Sequence, residues 1–371
     1  MLRRLREAGY EAYFVGGCVR DSVLGRRAHD WDVASAASPA EVERLFRHTA
    51  PTGAKHGTVT VLSAGGAVEV TAFRREGPYS DHRRPDSVAF TGDLLSDLAR
   101  RDFTMNAMAM GEDGGIRDPF GGLGDVERGL IRCVGEPRRR FGEDALRMLR
   151  AVRFAAQLGF ELEGETRRAI GECAPLAASL SAERVRDELV KTLRSPRPEL
   201  AWELLSTGLM ARYAGAVGPA PPLSRLPQYA RLAHLCRELE TRGCIGSAEE
   251  FLRALRFDRR TVRAATAATA ALASGSRDYK RLLRDYGREA VLAAWPHSRE
   301  LRRVLASGEC WSVDGLALGG VELLDMGLRG RELGEALSAL LEHVTDHPED
   351  NRADILCKLI AEERERYGEN A

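Results

Sequence analysis

The stretch that decides the fold is Tyr13–Phe46, YFVGGCVRDSVLGRRAHDWDVASAASPAEVERLF. Tyr13-Phe14-Val15 is an apolar run and reads as a buried strand. Gly16 and Gly17 follow at once, and Val19, Val23 and Leu24 then recur at helical spacing around Arg20 and Asp21. Asp30-Trp31-Asp32 leads into a second apolar strand at Val33-Ala34. Ser38-Pro39-Ala40-Glu41 opens a helix, with Ser38 as N-cap, Pro39 at the first helical position and Glu41 completing a capping box. The order is strand, glycine turn, helix, strand with Asp-x-Asp, helix.

Each part suits phosphate chemistry. A glycine pair between strand and helix lets a phosphate approach the backbone, and the first N–H groups of the helix face it. Arg20, one turn in, can add a charge-assisted contact. The plainer reading of Gly16-Gly17 is an ordinary turn. Asp30 and Asp32 lie two apart, so on a strand they share a face. Side-by-side carboxylates repel unless solvent or a cation relieves them. Mg²⁺ is bound by one or two such carboxylates together with substrate phosphates, and in group transfer it activates the attacking oxygen and neutralises the leaving group. The plainer reading is two solvated aspartates at a strand end.

Four further motifs follow in order: Arg100–Ala107 (RRDFTMNA), Asp118–Gly122 (DPFGG), Glu143–Arg150 (EDALRMLR) and, more diffusely, Ser181–Glu188 (SAERVRDE). Together with Gly16–Asp21 and Asp30–Asp32 they resemble the polymerase-beta-type nucleotidyltransferases. Within these they are most similar to the class II CCA-adding tRNA nucleotidyltransferases and bacterial poly(A) polymerases. The resemblance covers roughly the first half of the chain. It implies an α+β fold, with a small mixed-sheet catalytic head at 1–132 and an all-helical remainder. That remainder divides into a neck carrying a nucleobase-reading helix at 133–195, a body at 196–300 and a tRNA-binding tail at 301–371. It also implies that Asp30 and Asp32 are the catalytic metal ligands, with Mg²⁺ as cofactor. Gly16, Gly17, Arg20, Arg101, Asp144, Arg147, Arg150 and Arg153 would bind the nucleotide, with Arg101 on the triphosphate, Asp102 near the ribose, and Arg150 and Arg153 on phosphates. Asp118–Gly122 would form a hinge, and Ser181–Glu188 would buttress the base-reading helix.

The chemistry of Asp144 and Arg147 supports that reading. Cytosine and adenine both offer an exocyclic amine donor beside a ring-nitrogen acceptor. An aspartate accepts from the amine and an arginine donates to the ring nitrogen. Uracil and guanine present the reverse order and would leave buried polar groups unpaired. The spacing predicts one helix over Glu143–Phe160 with a polar stripe at Asp144, Arg147, Arg150 and Arg153. By pattern alone that stripe is a salt-bridged surface face.

At 371 residues the chain has room for two or three domains. It is 44% hydrophobic and 30% charged, and no run of about 18 apolar residues predicts a membrane span. The basic start, Met1–Arg6, reads as a first helix with Leu2 and Leu5 inward rather than as a secretory signal. Seven scattered cysteines without a Cys-x-x-Cys predict a reducing, cytoplasmic setting and no zinc ribbon. Net charge is zero, which argues against unspecific RNA binding. Lysine occurs only at Lys55, Lys191, Lys280 and Lys358, so arginine carries the positive charge.

Thr58–Ser63 and Ala67–Phe73 alternate like a hairpin, with Glu69 either a third metal carboxylate or an outward strand residue. Arg74–Pro85 reads as a mobile surface loop. In the resembled family such a loop helps the switch from adding C to adding A. Gly215–Pro227 reads as a linker, and Phe251–Ala273, Leu333–Val344 and Ile355–Ile360 as packed helices. The expected activity is template-independent addition of C, C and A from CTP and ATP to the tRNA 3′ end, with no obligate protein partner evident. A-only addition and poly(A) tailing use the same motifs, although the short chain and acidic Glu362-Glu363-Arg364-Glu365 end disfavour tailing. A metal phosphohydrolase, prompted by His29-Asp30, lacks further histidines in a ligand pattern, His82, His234 and His297 being scattered. An inactive RNA-binding module would be expected to lose Asp30, Asp32 or Asp144.

Overall fold

The computed structural model describes residues 1–28, 30–53, 57–63, 66–77, 87–218 and 221–368. The chain divides into two compact units, Met1–Ser224 with Ala254–Arg256, and Arg225–Arg253 with Phe257–Ala371.

The first unit opens with α1 (Leu2–Glu7), β1 (Ala12–Val15), α2 (Gly17–Val23), β2 (Asp32–Ser35) and α3 (Pro39–Leu45). Then come β3 (Thr49–Gly53), β4 (Thr58–Ser63), β5 (Gly66–Ala72), β6 (Arg74–Glu76), β7 (Val88–Phe90) and α4 (Leu94–Ala99). The head closes with β8 (Ala109–Met110), β9 (Ile116–Arg117), α5 (Gly122–Arg128) and β10 (Leu130–Ile131). Seven strands form one sheet in the order β3-β4-β5-β2-β1-β8-β9. Only β2 and β5 run parallel.

Strand alternation gives the sheet two apolar faces. Val33, Val59, Val61 and Val70 pack with Leu2, Leu5, Val42 and Phe46 of α1 and α3. Tyr13, Val15, Ala34 and Ala109 pack on the other face with Phe73, Leu94 and Leu98. Leu5, Val59 and Val70 are fully buried, each contributing roughly 1.5–3 kcal/mol over an exposed position. The inward placement of Leu2 and Leu5 holds, and α3 is capped as expected, the Ser38 N–H donating to Glu41 Oε2 at 2.7 Å.

Three local expectations change. Arg74–Glu76 is not loop: it pairs with Val88–Phe90 as an antiparallel ribbon, while 78–85 of the expected loop lie outside the described residues. β3, β8 and β9 are short and show no clear apolar alternation, yet they extend the sheet, with β3 and β9 at its two edges. The region after 132 is not wholly helical either, because β11 (Glu161–Leu162) runs parallel to β10.

The neck elements of the first unit are α6 (Pro137–Glu143), α7 (Leu146–Leu158), α8 (Gly164–Cys173), α9 (Ala182–Leu193) and α10 (Ala201–Ser206). The second unit holds α11 (Gln228–Thr241), most of α12 (Ala248–Ala254), α13 (Arg259–Ala273), α14 (Tyr279–Tyr286), α15 (Arg288–Ala294) and α16 (Arg299–Ala306). It ends with α17 (Gly320–Asp325), α18 (Gly330–Asp346) and α19 (Ala353–Gly368). Ala233, Ala268, Ala290 and Ala293 let α11, α13 and α15 approach closely. A boundary at 300 would cut α16, and Leu301 packs into the core of Ala271, Leu282, Leu283 and Val291. A separate cluster starts only at Cys310 and runs to Ile360, so the tail core begins about ten residues later than expected. All seven cysteines are free thiols. Among the described residues no helix is long and apolar enough to cross a membrane.

Candidate active site

The site is built at one end of the central strands. β1 ends at Val15, whose register partner is Asp32, the first residue of β2. Asp32 in turn is in register with Glu69 on β5. The chain leaves β1 through Gly16, at φ 80° and ψ −136°, and enters α2. The glycine turn and two carboxylates therefore share one edge. Asp30 does not lie on the strand with Asp32: it sits in the exposed bend before it, because β2 begins only at Asp32. Trp31 packs edge-on against Phe14, with ring centres 4.7 Å apart. His29 lies outside the described residues.

Burial pushes the Asp32 carboxyl up, the Glu69 carboxylate adds to this, Arg101 opposes it and Asp30 contributes a smaller rise. Two carboxylates and a nearby third that repel one another suit a divalent cation held with substrate oxygens. Among the described residues no three His, Cys, Asp or Glu side chains form a ready-made metal cluster.

Arg101 reaches the glycine turn. Its Nη1 lies 3.1 Å from where a Cβ on Gly16 would stand, with Asp32 Oδ2 at 3.8 Å from the same point. The side chain is held by Asp97, which accepts from Arg101 Nη2 at 3.1 Å and from Arg100 Nε and Nη2 at 3.0 and 2.8 Å. Asp97 is fully buried. Burial would raise it, but the two guanidiniums hold the carboxyl below its usual range. Asp97 was given no role by sequence reasoning, although its spacing of three and four to the arginines was a usable signal.

Asp102 is the centre of a second network. Arg150 donates Nε and Nη2 to its Oδ2, and Asn106 Nδ2 donates to its Oδ1 at 3.1 Å. Asn106 Oδ1 accepts from Arg20 Nη1 at 2.8 Å, and Arg20 also donates to Asp21. Arg20 is thus buried in side-chain contacts rather than presented as an open phosphate hook. The ring of Phe154 lies beneath three guanidiniums, those of Arg20, Arg150 and Arg153.

The expected helix over Glu143–Phe160 is broken. α6 ends at Glu143, Asp144 is extended at φ −141° and ψ 105°, and α7 starts at Leu146. The break lets Asp144 Oδ1 accept from the Leu146 N–H at 3.0 Å, a local contact that competes with the helix. Nor is the stripe a surface face: Arg147 and Arg153 are each 7% exposed. Arg147 donates Nη1 to the Arg140 carbonyl and to Glu143, and Nη2 to the Arg100 carbonyl at 3.1 Å. Arg140 Nη2 donates to the Arg101 carbonyl at 2.6 Å. These two bonds tie the neck to the arginine pair of the head.

From α9, Arg184 Nη2 reaches Asp144 Oδ2 at 2.9 Å. Glu188 pairs with Arg153, whose Nη1 also donates to Gln157. Arg153, expected on a phosphate, forms a buried ion pair with Glu188. Arg184 and Glu188 thus pair with Asp144 and Arg153 and not with each other.

A mixed sheet with paired carboxylates and a glycine turn at its edge, feeding a helical neck, defines a nucleotidyltransferase of the poly(A) polymerase class. Residues 12–132 match the family model of the poly A polymerase head domain, and 159–213 match the model described as a probable RNA and SrmB-binding site of polymerase A. The CCA-adding enzyme of Geobacillus kaustophilus is 40% identical over 397 residues, spanning all of this chain and 97% of that protein. That of Lactobacillus gasseri is 52% identical over 229 residues, a match covering 62% of this chain and 58% of that protein's length. The crystal structure of the Bacillus stearothermophilus CCA-adding enzyme in complex with CTP superposes with a TM-score of 0.83 at 38% identity, covering 99% of this chain and 97% of that one. The chain belongs to the family of CCA-adding enzymes.

Proposed function

We propose that this chain adds C, C and A to the 3′ end of tRNA from CTP and ATP, without a nucleic-acid template, releasing pyrophosphate. The observation that carries the reading is the convergence of the Gly16 turn, Asp32, Glu69 and Arg101 at one sheet edge, with Arg147 tied to the Arg100 carbonyl beside it.

Asp30 and Asp32 would hold Mg²⁺, with Glu69 the neighbouring carboxylate. When bound, the metal makes the attacking oxygen more nucleophilic and neutralises charge on the leaving group. The remaining work belongs to side chains. The Gly16 turn leaves room for phosphate oxygens, and Arg101, aimed by Asp97, offsets their charge. The 3′-hydroxyl oxygen bonds to the α-phosphorus as the bond to the bridging oxygen of pyrophosphate breaks, and the hydroxyl proton is released. Asp144 accepts from the exocyclic amine of cytosine or adenine, and Arg147 donates to the ring nitrogen. Arg150 steadies Asp102 on the ribose side. Glu188 keeps Arg153 in place beside Arg150.

Residues 1–132 would be the catalytic head and 133–195 the neck. The body and tail after 195, divided near 310, would hold the tRNA by shape and phosphates. A cytoplasmic setting accords with seven free thiols.

The test is incorporation with Mg²⁺ on tRNA transcripts lacking CCA or ending in CC, each given CTP, ATP or both. Addition of CC and then a single A to the first transcript is the expected result. A alone on the CC-ending transcript would make this an A-adding enzyme, and a long A ladder would make it a poly(A) polymerase.

A further inference from the structure

Beyond the nucleotide site, a second cavity of about 550 Å³ opens where α2, α7 and α9 all end. Its charged lining is Arg20, Asp21, Arg26, Arg27 and Arg194, with Gln157 beside them. Four arginines against one aspartate leave an excess of three positive charges. The one carboxylate is already engaged, since Asp21 Oδ1 accepts from Arg20 Nε and Nη2 at 2.9 and 2.8 Å. Arg26 and Arg27 are exposed, and no described carboxylate forms an ion pair with either.

Three helix C-termini explain part of this gathering of cations. Together they contribute roughly one and a half negative charges, about half of the side-chain excess. The cavity therefore still attracts an anion. No aromatic side chain lines it, so it offers no aromatic platform for a base. Planar guanidinium forks suit phosphate oxygens. Arg194 also falls within residues 159–213, the segment that matches an RNA-binding family model.

The cavity is joined to the candidate site but distinct from it. Arg20 Nη1 donates to Asn106, and Asn106 donates to Asp102. Gln157 lies ten residues beyond Arg147 on α7, or about 15 Å along the helix axis, the reach of a few nucleotides.

We propose that this cavity binds the phosphodiester backbone of the RNA substrate a few nucleotides upstream of its reacting 3′ end. The proposal rests on the reading of RNA as the acceptor. It assigns Arg26 and Arg27 as sequence-independent phosphate contacts, the kind an enzyme acting on many tRNAs requires.

The test uses the full chain and the exposed pair, where substitution leaves the core untouched. For Arg26→Ala/Arg27→Ala, Kd for a tRNA lacking CCA is measured from 0.05 to 0.3 M salt, together with KM for tRNA and for CTP. Kd and KM for tRNA are expected to rise about tenfold at 0.15 M salt. The slope of log Kd against log salt should fall by about 1 to 2, and KM for CTP should move less than about twofold. Arg26→Glu/Arg27→Glu should weaken tRNA further. Unchanged tRNA affinity and slope would overturn the assignment, as would a rise confined to KM for CTP. If wild type adds nucleotides normally while both variants bind tRNA as wild type does, the cavity assignment alone fails. If wild type adds none yet loses tRNA affinity on substitution, the activity fails and the cavity stands.

Discussion

Arg150 donates both Nε and Nη2 to a single oxygen of Asp102, at 2.9 and 2.6 Å. The other oxygen accepts from Asn106 and from the Phe103 N–H. Burial acts to raise this carboxyl, but Arg150 and the other donors outweigh it and hold it at about 2, against 3.8 for a free side chain. A depressed folded value means that the unfolded chain binds the proton more readily. The stabilisation is therefore complete above about pH 5 and is lost as pH falls toward 2. It amounts to about 2 kcal/mol. Asp102→Asn should lower unfolding free energy by about that much at pH 7 and by far less near pH 2.5. Urea midpoints across pH measure the difference, and a gap that does not change with pH would contradict the assignment.

Asp32 has the opposite sign. Its carboxyl is raised by burial and by Glu69, with Arg101 only partly offsetting them. A raised carboxylate destabilises the fold once ionised, so stability falls as pH climbs from the unfolded value through the folded one. Asp32→Asn removes that penalty. It should leave the melting temperature at pH 7 equal to or above wild type while reducing nucleotide incorporation to background. Mg²⁺ together with CTP should raise the wild-type melting temperature and not that of the variant. Retained incorporation in Asp32→Asn would remove Asp32 from the chemistry.

Gly16→Ala separates backbone strain from displacement of Arg101. Gly16 has φ +80° and a Cβ there would meet Arg101 Nη1 at 3.1 Å, whereas Gly159 has φ +77° with nothing within 4 Å. Gly159, at ψ 17°, is left-handed helical, and alanine there costs about 1 kcal/mol, whereas Gly16, at ψ −136°, lies in a region that only glycine enters freely, and alanine there costs more, on the order of 1–3 kcal/mol. Gly159→Ala should lose only its share of stability. Gly16→Ala should in addition raise KM for CTP and ATP several-fold, read by steady-state incorporation. Equal kinetics in the two variants would mean that Arg101 does not depend on the turn.

How much of this was legible follows from which interactions are local. Tyr13–Phe46 carried its own signals in strand alternation, the glycine turn and the cap, and the structure keeps them in order. Glu69 could be placed on a strand but not beside Asp32, because parallel pairing between β2 and β5 joins segments almost forty residues apart. The stripe at Asp144, Arg147, Arg150 and Arg153 was visible, but its burial was not. Arginine ordinarily marks a surface, and here each is covered by a partner from another segment: Arg147 by the Arg100 carbonyl, Arg150 by Asp102, Arg153 by Glu188. The extended backbone at Asp144 left only a faint signal, Gly142 and the capping type of Asp144 itself, since Glu143 to Arg150 contains neither glycine nor proline.

On the proposed reading of the base by Asp144, that break makes Arg184 a positioning residue. Its Nη2 reaches both oxygens of Asp144, at 2.9 and 3.2 Å, and α9 fixes the direction from which it comes. Arg184 Nη1 is buried with no hydrogen-bond partner among the described residues, so the guanidinium is held chiefly for the aspartate. Without it, Asp144 keeps only the Leu146 N–H to orient it. Arg184→Ala should therefore reduce discrimination against UTP and GTP by about ten- to a hundredfold, with a smaller effect on the rate with CTP. Asp144→Ala should lose both selectivity and rate. Arg184→Lys, which restores the charge but not the fork, should recover part of the discrimination. Ratios of kcat/KM for CTP, ATP, UTP and GTP measure this, and an Arg184→Ala enzyme that slows equally with all four would reduce Arg184 to a purely structural contact.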